Sequence, residues 1–185
     1  MEIEQNALID ELTALTEEAI AAAYNFRLLP ERTLNFKKSA PEWSILECLE
    51  HLNLYGDYYL PEIQKRLLST EFHVGKEVFK SGIIGNYFAN LIKVKNGKVK
   101  KMRTTKDKDP NNSKLTITTI DRFLGQLESL KVLLNQSRSV HLTRIKTNIS
   151  LTRFIKLKLG DTLRFVVYHN ERHVLQALRT WQTNE

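Results

Sequence analysis

The sequence predicts an all-α fold, a four-helix bundle wired up-down-down-up. Three observations carry that expectation. Four long segments repeat their apolar residues every three or four positions, the period of one helix face. Only 7 Gly and 4 Pro are spread over 185 residues, too few chain breakers for a sandwich of many short strands. The connections between the second and third and between the third and fourth segments are long, which lets neighbouring helices run parallel.

The first helix is expected from about Glu4 to Phe26, with Leu8, Leu12, Leu15, Ala19, Ala22 and Phe26 on one face and Pro30 closing it. The second begins at Ser44, which forms an S-x-x-E capping box with Glu47. Ile45, Leu49, Leu52, Tyr59, Ile63 and Leu67 continue its stripe, and Pro61 predicts a kink or an early end. The third spans about Thr118 to Gln136, with Thr118 and Asp121 as start signals and Ile120, Leu124, Leu127, Leu130 and Leu134 inward. The fourth follows Gly160, with Asp161 or Thr162 as cap and Leu163, Val166, Val167, Val174, Ala177, Leu178 and Trp181 as stripe. Residues 68–115 and 137–160 read as connections, and Leu151 to Leu159 as a short extra helix.

The chain is the size of one domain, taken as 1–185 with 68–115 a long, basic crossover insertion. Hydrophobic residues at 42% and charged residues at 26% suit a globular protein and exclude a disordered one. A single cysteine, Cys48, excludes an intrachain disulfide framework. No apolar run is long enough for a spanning helix, and Met1-Glu2-Ile3-Glu4 lacks the basic and apolar regions of a signal peptide. The expected location is cytoplasmic.

The net charge of +7 is local. Residues 93–108 hold eight basic side chains against one acid, Asp107, and the remainder is balanced. A solvated loop is the plainer reading. A binding arm for an acidic partner or nucleic acid, contacting through Lys98, Lys100, Lys101 and Arg103, is the alternative. The absence of aromatics between Lys93 and Lys108 argues against stacking on single strands.

Five histidines are present: His51, His73, His141, His169 and His173. His169 and His173 lie four apart on the fourth helix, beside its apolar stripe, so both rings can converge on one ion in the bundle interior. His51, beside Cys48, Leu52 and Tyr55 on the second helix, fits as a third ligand. Three neutral imidazoles suit Zn²⁺ or Ni²⁺ and leave a coordination position open for a water, a thiol or a substrate oxygen.

These residues sit in two motifs. Trp43-Ser44-Ile45-Leu46-Glu47-Cys48-Leu49-Glu50-His51-Leu52 resembles the W-S-x-x-E-x-x-x-H-L motif of the DinB/YfiT-like superfamily. Tyr168-His169-Asn170-Glu171-Arg172-His173-Val174-Leu175-Gln176 resembles its closing H-x-x-x-H-x-x-Q motif. The resemblance implies the same bundle over nearly the whole chain. It also implies a divalent metal, usually nickel or zinc, held by His51, His169 and His173. Characterised relatives include S-transferases that use low-molecular-weight thiols such as bacillithiol or mycothiol.

Around the ligands, Gln176 is placed to hydrogen-bond an imidazole or a bound water. Glu47 is placed to orient His51, although the capping box competes for its carboxylate. Glu171 should point outward, Arg172 reads as a solvated arginine, and Cys48 as a buried, inert thiol. Tyr55 and Tyr58 read as core, and His73 and His141 as loop residues. The function expected is a metal-dependent thiol S-transferase or hydrolase acting on a small molecule by Lewis-acid activation. A non-catalytic module using the basic loop 93–108 is the alternative. Exposed faces on such a bundle leave room for a homodimer.

Overall fold

Among the described residues, four long helices and a short, uncharged one carry most of the chain. The structure is a computed structural model and describes residues 1–72, 78–95, 97 and 104–183. The helices are α1 (Gln5–Arg27), α2 (Glu31–Leu34), α3 (Ile45–Leu68), α4 (Ile83–Ile92), α5 (Thr118–Gln136) and α6 (Leu159–Gln182). The strands are β1 (Glu2–Glu4), β2 (Val78–Lys80), β3 (Lys146–Ile149) and β4 (Thr152–Lys158). The fold is therefore mostly helical, with two small antiparallel sheets, β1–β2 and β3–β4. Among the described residues, no helix is long and apolar enough to cross a membrane.

Local chemistry sets the helix starts. The Glu4 carboxylate accepts the free N–H groups of Asn6 and Ala7 at the head of α1. The Ser44 hydroxyl accepts from Glu47 N at 3.1 Å, and the Glu47 carboxylate accepts from Ser44 N at 2.8 Å, closing the expected capping box. The expected apolar stripes are the core. α1 packs on α5 and α6, and α3 packs on the same two helices. Leu8, Leu12, Ile63, Leu130, Leu163 and Tyr168 belong to one buried cluster. Phe26, Leu49, Phe123, Val174 and Ala177 belong to a second. Along α6 the two clusters meet between Tyr168 and Val174, where His169 and His173 lie.

Four features depart from the sequence expectation. α3 does not end early at Pro61 but runs on to Leu68, because Ile63 and Leu67 beyond the proline stay in the core. Residues Leu151 to Leu159 are chiefly strand β4 rather than a helix. Phe154 and Lys156 face outward while Leu157 is buried, the period-two alternation of a half-buried strand. The connection 68–115 contains α4, a helix without a single charge or capping side chain to announce it. α6 starts at Leu159 with Lys158 as cap, so Asp161 lies inside the first turn rather than capping it.

Asp161 has a different task. It is fully buried and accepts from Ser81 Oγ, from Gly82 N at 2.8 Å and from Arg164 Nη1 at 3.3 Å. Arg164, buried too, also donates to Asn86 Oδ1 at 3.2 Å. This network pins α4 to α6. Gly85 permits the approach: a Cβ there would overlap the Asp161 carboxyl. Gly85→Ala is expected to lower stability by about 1–3 kcal/mol, despite alanine's better helix propensity. Urea denaturation measures it, and an unchanged or raised midpoint would show that the carboxyl gives way.

Candidate metal centre

α3 and α6 place three buried imidazoles against one another. His51 comes from α3, and His169 and His173 from successive turns of α6. One ligand atom from each lies within 4.8 Å of the other two. His51 Nε2 stands 3.2 Å from His169 Nε2. Two nitrogens each about 2.0–2.1 Å from a tetrahedral Zn²⁺ stand about 3.3 Å apart, so this spacing fits a shared ion.

The opposite edges of two rings are already committed. His51 Nδ1 lies 2.6 Å from the Lys108 carbonyl oxygen, and His173 Nδ1 lies 3.0 Å from Gln176 Oε1. Both partners are acceptors, so each Nδ1 carries the proton and donates, leaving the Nε2 lone pair toward the centre. Gln176 thus stands within hydrogen-bond distance of one of the three imidazoles. Glu47 does not act on His51 directly. Its carboxylate serves the cap, accepts from Lys37 Nζ at 3.0 Å, and accepts from Asn112 N at 2.6 Å. It fastens the loop that follows Lys108, while Lys108 itself supplies the carbonyl.

Aromatic rings wall the cluster. Trp43 lies 4.7 Å from the His51 ring and 5.6 Å from His173, centroid to centroid. Its indole N–H donates to Asp109 Oδ1 at 3.2 Å. Tyr55 lies 4.5 Å from His169, and Phe165 stacks on it at 5.6 Å. Tyr55 is therefore a wall of the site. Tyr58 instead donates to Ile149 O, holding the β3–β4 hairpin to α3.

Burial keeps these rings neutral. Desolvation pushes the His51 pKa down to about 4, with Arg172 and Lys108 adding to the fall and the Lys108 carbonyl opposing it. Desolvation lowers His169 and His173 well below the ordinary histidine range, and neighbouring imidazoles and Arg172 add to it. Neutral imidazole is the form that ligates a metal. Arg172 is 6% exposed, not a solvated residue, and its positive charge reaches all three rings. Glu171 is half-buried with its carboxyl pushed up by desolvation, so it does not simply point outward. Cys48 is fully buried and its thiol is pushed far above the physiological range, which leaves it inert.

The DinB superfamily model matches residues 8–177 of the chain. The chain belongs to the DinB superfamily. The match runs from the start of α1 to near the end of α6 and takes in all three clustered histidines. No curated protein matches the chain, and no solved structure does.

The remaining expected contacts lie elsewhere. Lys98, Lys100, Lys101, Arg103 and His73 lie outside the described residues. His141 is buried, with its backbone N–H on Phe72 O. Sequence reasoning missed the Lys108 carbonyl and the buried Arg172. A backbone carbonyl carries no side-chain signal, and helical periodicity placed Arg172 off the apolar stripe.

The lowered histidines set a pH dependence for the metal-free protein. Above about pH 6.5 both folded and unfolded chains hold neutral imidazole. Below it the unfolded chain takes up protons that the folded chain refuses, so stability falls as pH drops toward the folded values. The urea midpoint in chelator is expected to fall from about pH 7.5 to about pH 5.5, before most carboxylates titrate. A flat midpoint would mean the rings are not held neutral.

Proposed function

We propose that His51, His169 and His173 bind one divalent ion, nickel or zinc, and that the protein is a metal-dependent thiol S-transferase or hydrolase. The observation that carries this reading is the approach of three buried, neutral imidazoles from two distant segments, with Nε2 of His51 and His169 3.2 Å apart. Three protein ligands leave a further position open, the arrangement of catalytic rather than structural sites. A divalent ion held there supplies Lewis-acid chemistry, lowering the pKa of a thiol or water so that it attacks an electrophile at neutral pH.

The chain's own residues prepare that position. Lys108 O and Gln176 Oε1 hold the outer imidazole protons and fix the ring planes. Trp43, Tyr55 and Phe165 keep water from the rings. The charges of Arg172 and Lys108 favour an anionic nucleophile over its protonated form. A narrow cleft between α3, α5 and α6, with room for about one water molecule, reaches His169 past Tyr55, Tyr59 and Phe165. The same reading takes α1, α3, α5 and α6 as an up-down-down-up bundle, with β2–α4 and the β3–β4 hairpin inserted in its two long crossovers.

Elemental analysis tests the ligands. Wild type is expected to carry about one divalent ion per chain, and His51→Ala and His173→Ala to lose it. Gln176→Ala should weaken affinity about 10–100-fold in chelator competition. Unchanged stoichiometry in either histidine variant would remove that residue from the ligand set. For the reaction, the loaded protein is mixed with a low-molecular-weight thiol and an alkyl halide. Thiol-dependent halide release that His173→Ala abolishes is the expected result. A rate no faster than buffer, with thiols and with hydrolysable esters alike, would overturn the enzymatic reading.

A further inference from the structure

We propose that α4 and the outer face of the β3–β4 hairpin form a docking surface for an anionic lipid bilayer. The argument begins with α4. Its sequence, Ile83-Ile84-Gly85-Asn86-Tyr87-Phe88-Ala89-Asn90-Leu91-Ile92, holds no charge and is apolar around most of its circumference. A helix of that kind is normally enclosed. Here only Gly85, Ala89 and Ile92 are buried, against α6. The bulky residues look outward: Ile83 is 93% exposed, Tyr87 62% and Ile84 48%. On β4, Phe154 is 92% exposed.

The surroundings are basic. Lys146 and Lys158 are cross-strand partners, Lys156 shares their face with Phe154, and Lys158 Nζ donates to Lys80 O at 2.7 Å beside the start of α4. Lys80 is paired with Glu2 and adds no net charge, so the basic border rests on Lys146, Lys156, Lys158 and Lys95. At the far end of α4, Lys93 pairs with Glu11, and Lys95 follows it. No aspartate or glutamate occurs from Val78 to Lys106. Apolar side chains standing proud of a platform and bordered by more lysines than acids have the composition of a peripheral membrane contact.

Charge chooses between occupants. A second copy seated on α4 about a two-fold axis would bring the same lysines opposite each other. Single-stranded nucleic acid matches the charge and can stack on Tyr87 and Phe154, but it gains nothing from Ile83 and Ile84, which cannot stack on bases. An anionic bilayer meets both needs, since its headgroups take the lysines and its acyl boundary takes Ile83, Tyr87 and Phe154. The helix is already fixed for the purpose. Asp161 and Arg164 hold Ser81, Gly82 and Asn86 through partly buried hydrogen bonds, so docking costs little ordering.

The test is flotation of the full chain with phosphatidylcholine vesicles, with and without about 30 mol % phosphatidylglycerol, at about 0.1 and about 0.5 M salt. Binding is expected only to the anionic vesicles, and at least about tenfold weaker at high salt. Ile83→Ser with Tyr87→Ser should weaken it about tenfold or more. Lys146→Glu with Lys156→Glu should do the same, all with wild-type urea midpoints. Absent vesicle binding would overturn the proposal, and so would binding indifferent to either pair. Binding to a single-stranded oligonucleotide without vesicle binding would overturn it in favour of nucleic acid. A dimer that Ile83→Ser with Tyr87→Ser dissociates, again without vesicle binding, would overturn it in favour of a second copy.

Discussion

Three imidazoles buried side by side, each held neutral, form the constraint around which this molecule is arranged. Removing polar rings from water is unfavourable unless their nitrogens find partners. Two of the outer nitrogens do, at Lys108 O and Gln176 Oε1. The inner ones are left facing one another, an arrangement that favours an electron-pair acceptor over a proton. Protonating any one ring would place a cation beside its neighbours and beside Arg172. The two apolar clusters hold α3 and α6 so that the rings cannot separate to relieve this.

Much of this was legible in the chain because helices advertise themselves. The 3.6-residue period located α1, α3, α5 and most of α6, and the Ser44–Glu47 pair located the start of α3 to the residue. The i, i+4 spacing of His169 and His173 placed both rings on one face, and His51 was available on an inward position of α3. What stayed hidden had no periodic signal. α4 is only ten residues long and has no capping side chain, so its start and its face carry little signal. The β3–β4 hairpin is short and its ladder carries a bulge between Asn148 and Ile149, which blurs the alternation. Asp161 looked like a cap because aspartate often is one, whereas its partners, Ser81 and Gly82, lie far away in sequence.

The long crossovers are where this chain adds to a plain helical scaffold. The α3–α5 crossover delivers the Lys108 carbonyl to His51, and the following turn is tied down by Trp43 on Asp109 and by Glu47 on Asn112. The same crossover carries α4, fixed to α6 by a buried aspartate and arginine. The α5–α6 crossover sets the hairpin against α3 through Tyr58 and Tyr59. The loops therefore do two jobs, trimming the histidine cluster at one place and presenting an apolar, lysine-bordered surface at another.

The distance in sequence between His51 and His169 has a bearing on biosynthesis. A ribosome releases α3, and with it the first of the three rings, long before α6 exists. Neither the α6 pair nor the Lys108 carbonyl is present to complete the cluster during that interval. The emerging polypeptide offers only one member of the cluster during that time. The three-histidine cluster is therefore completed only after α6 has been made.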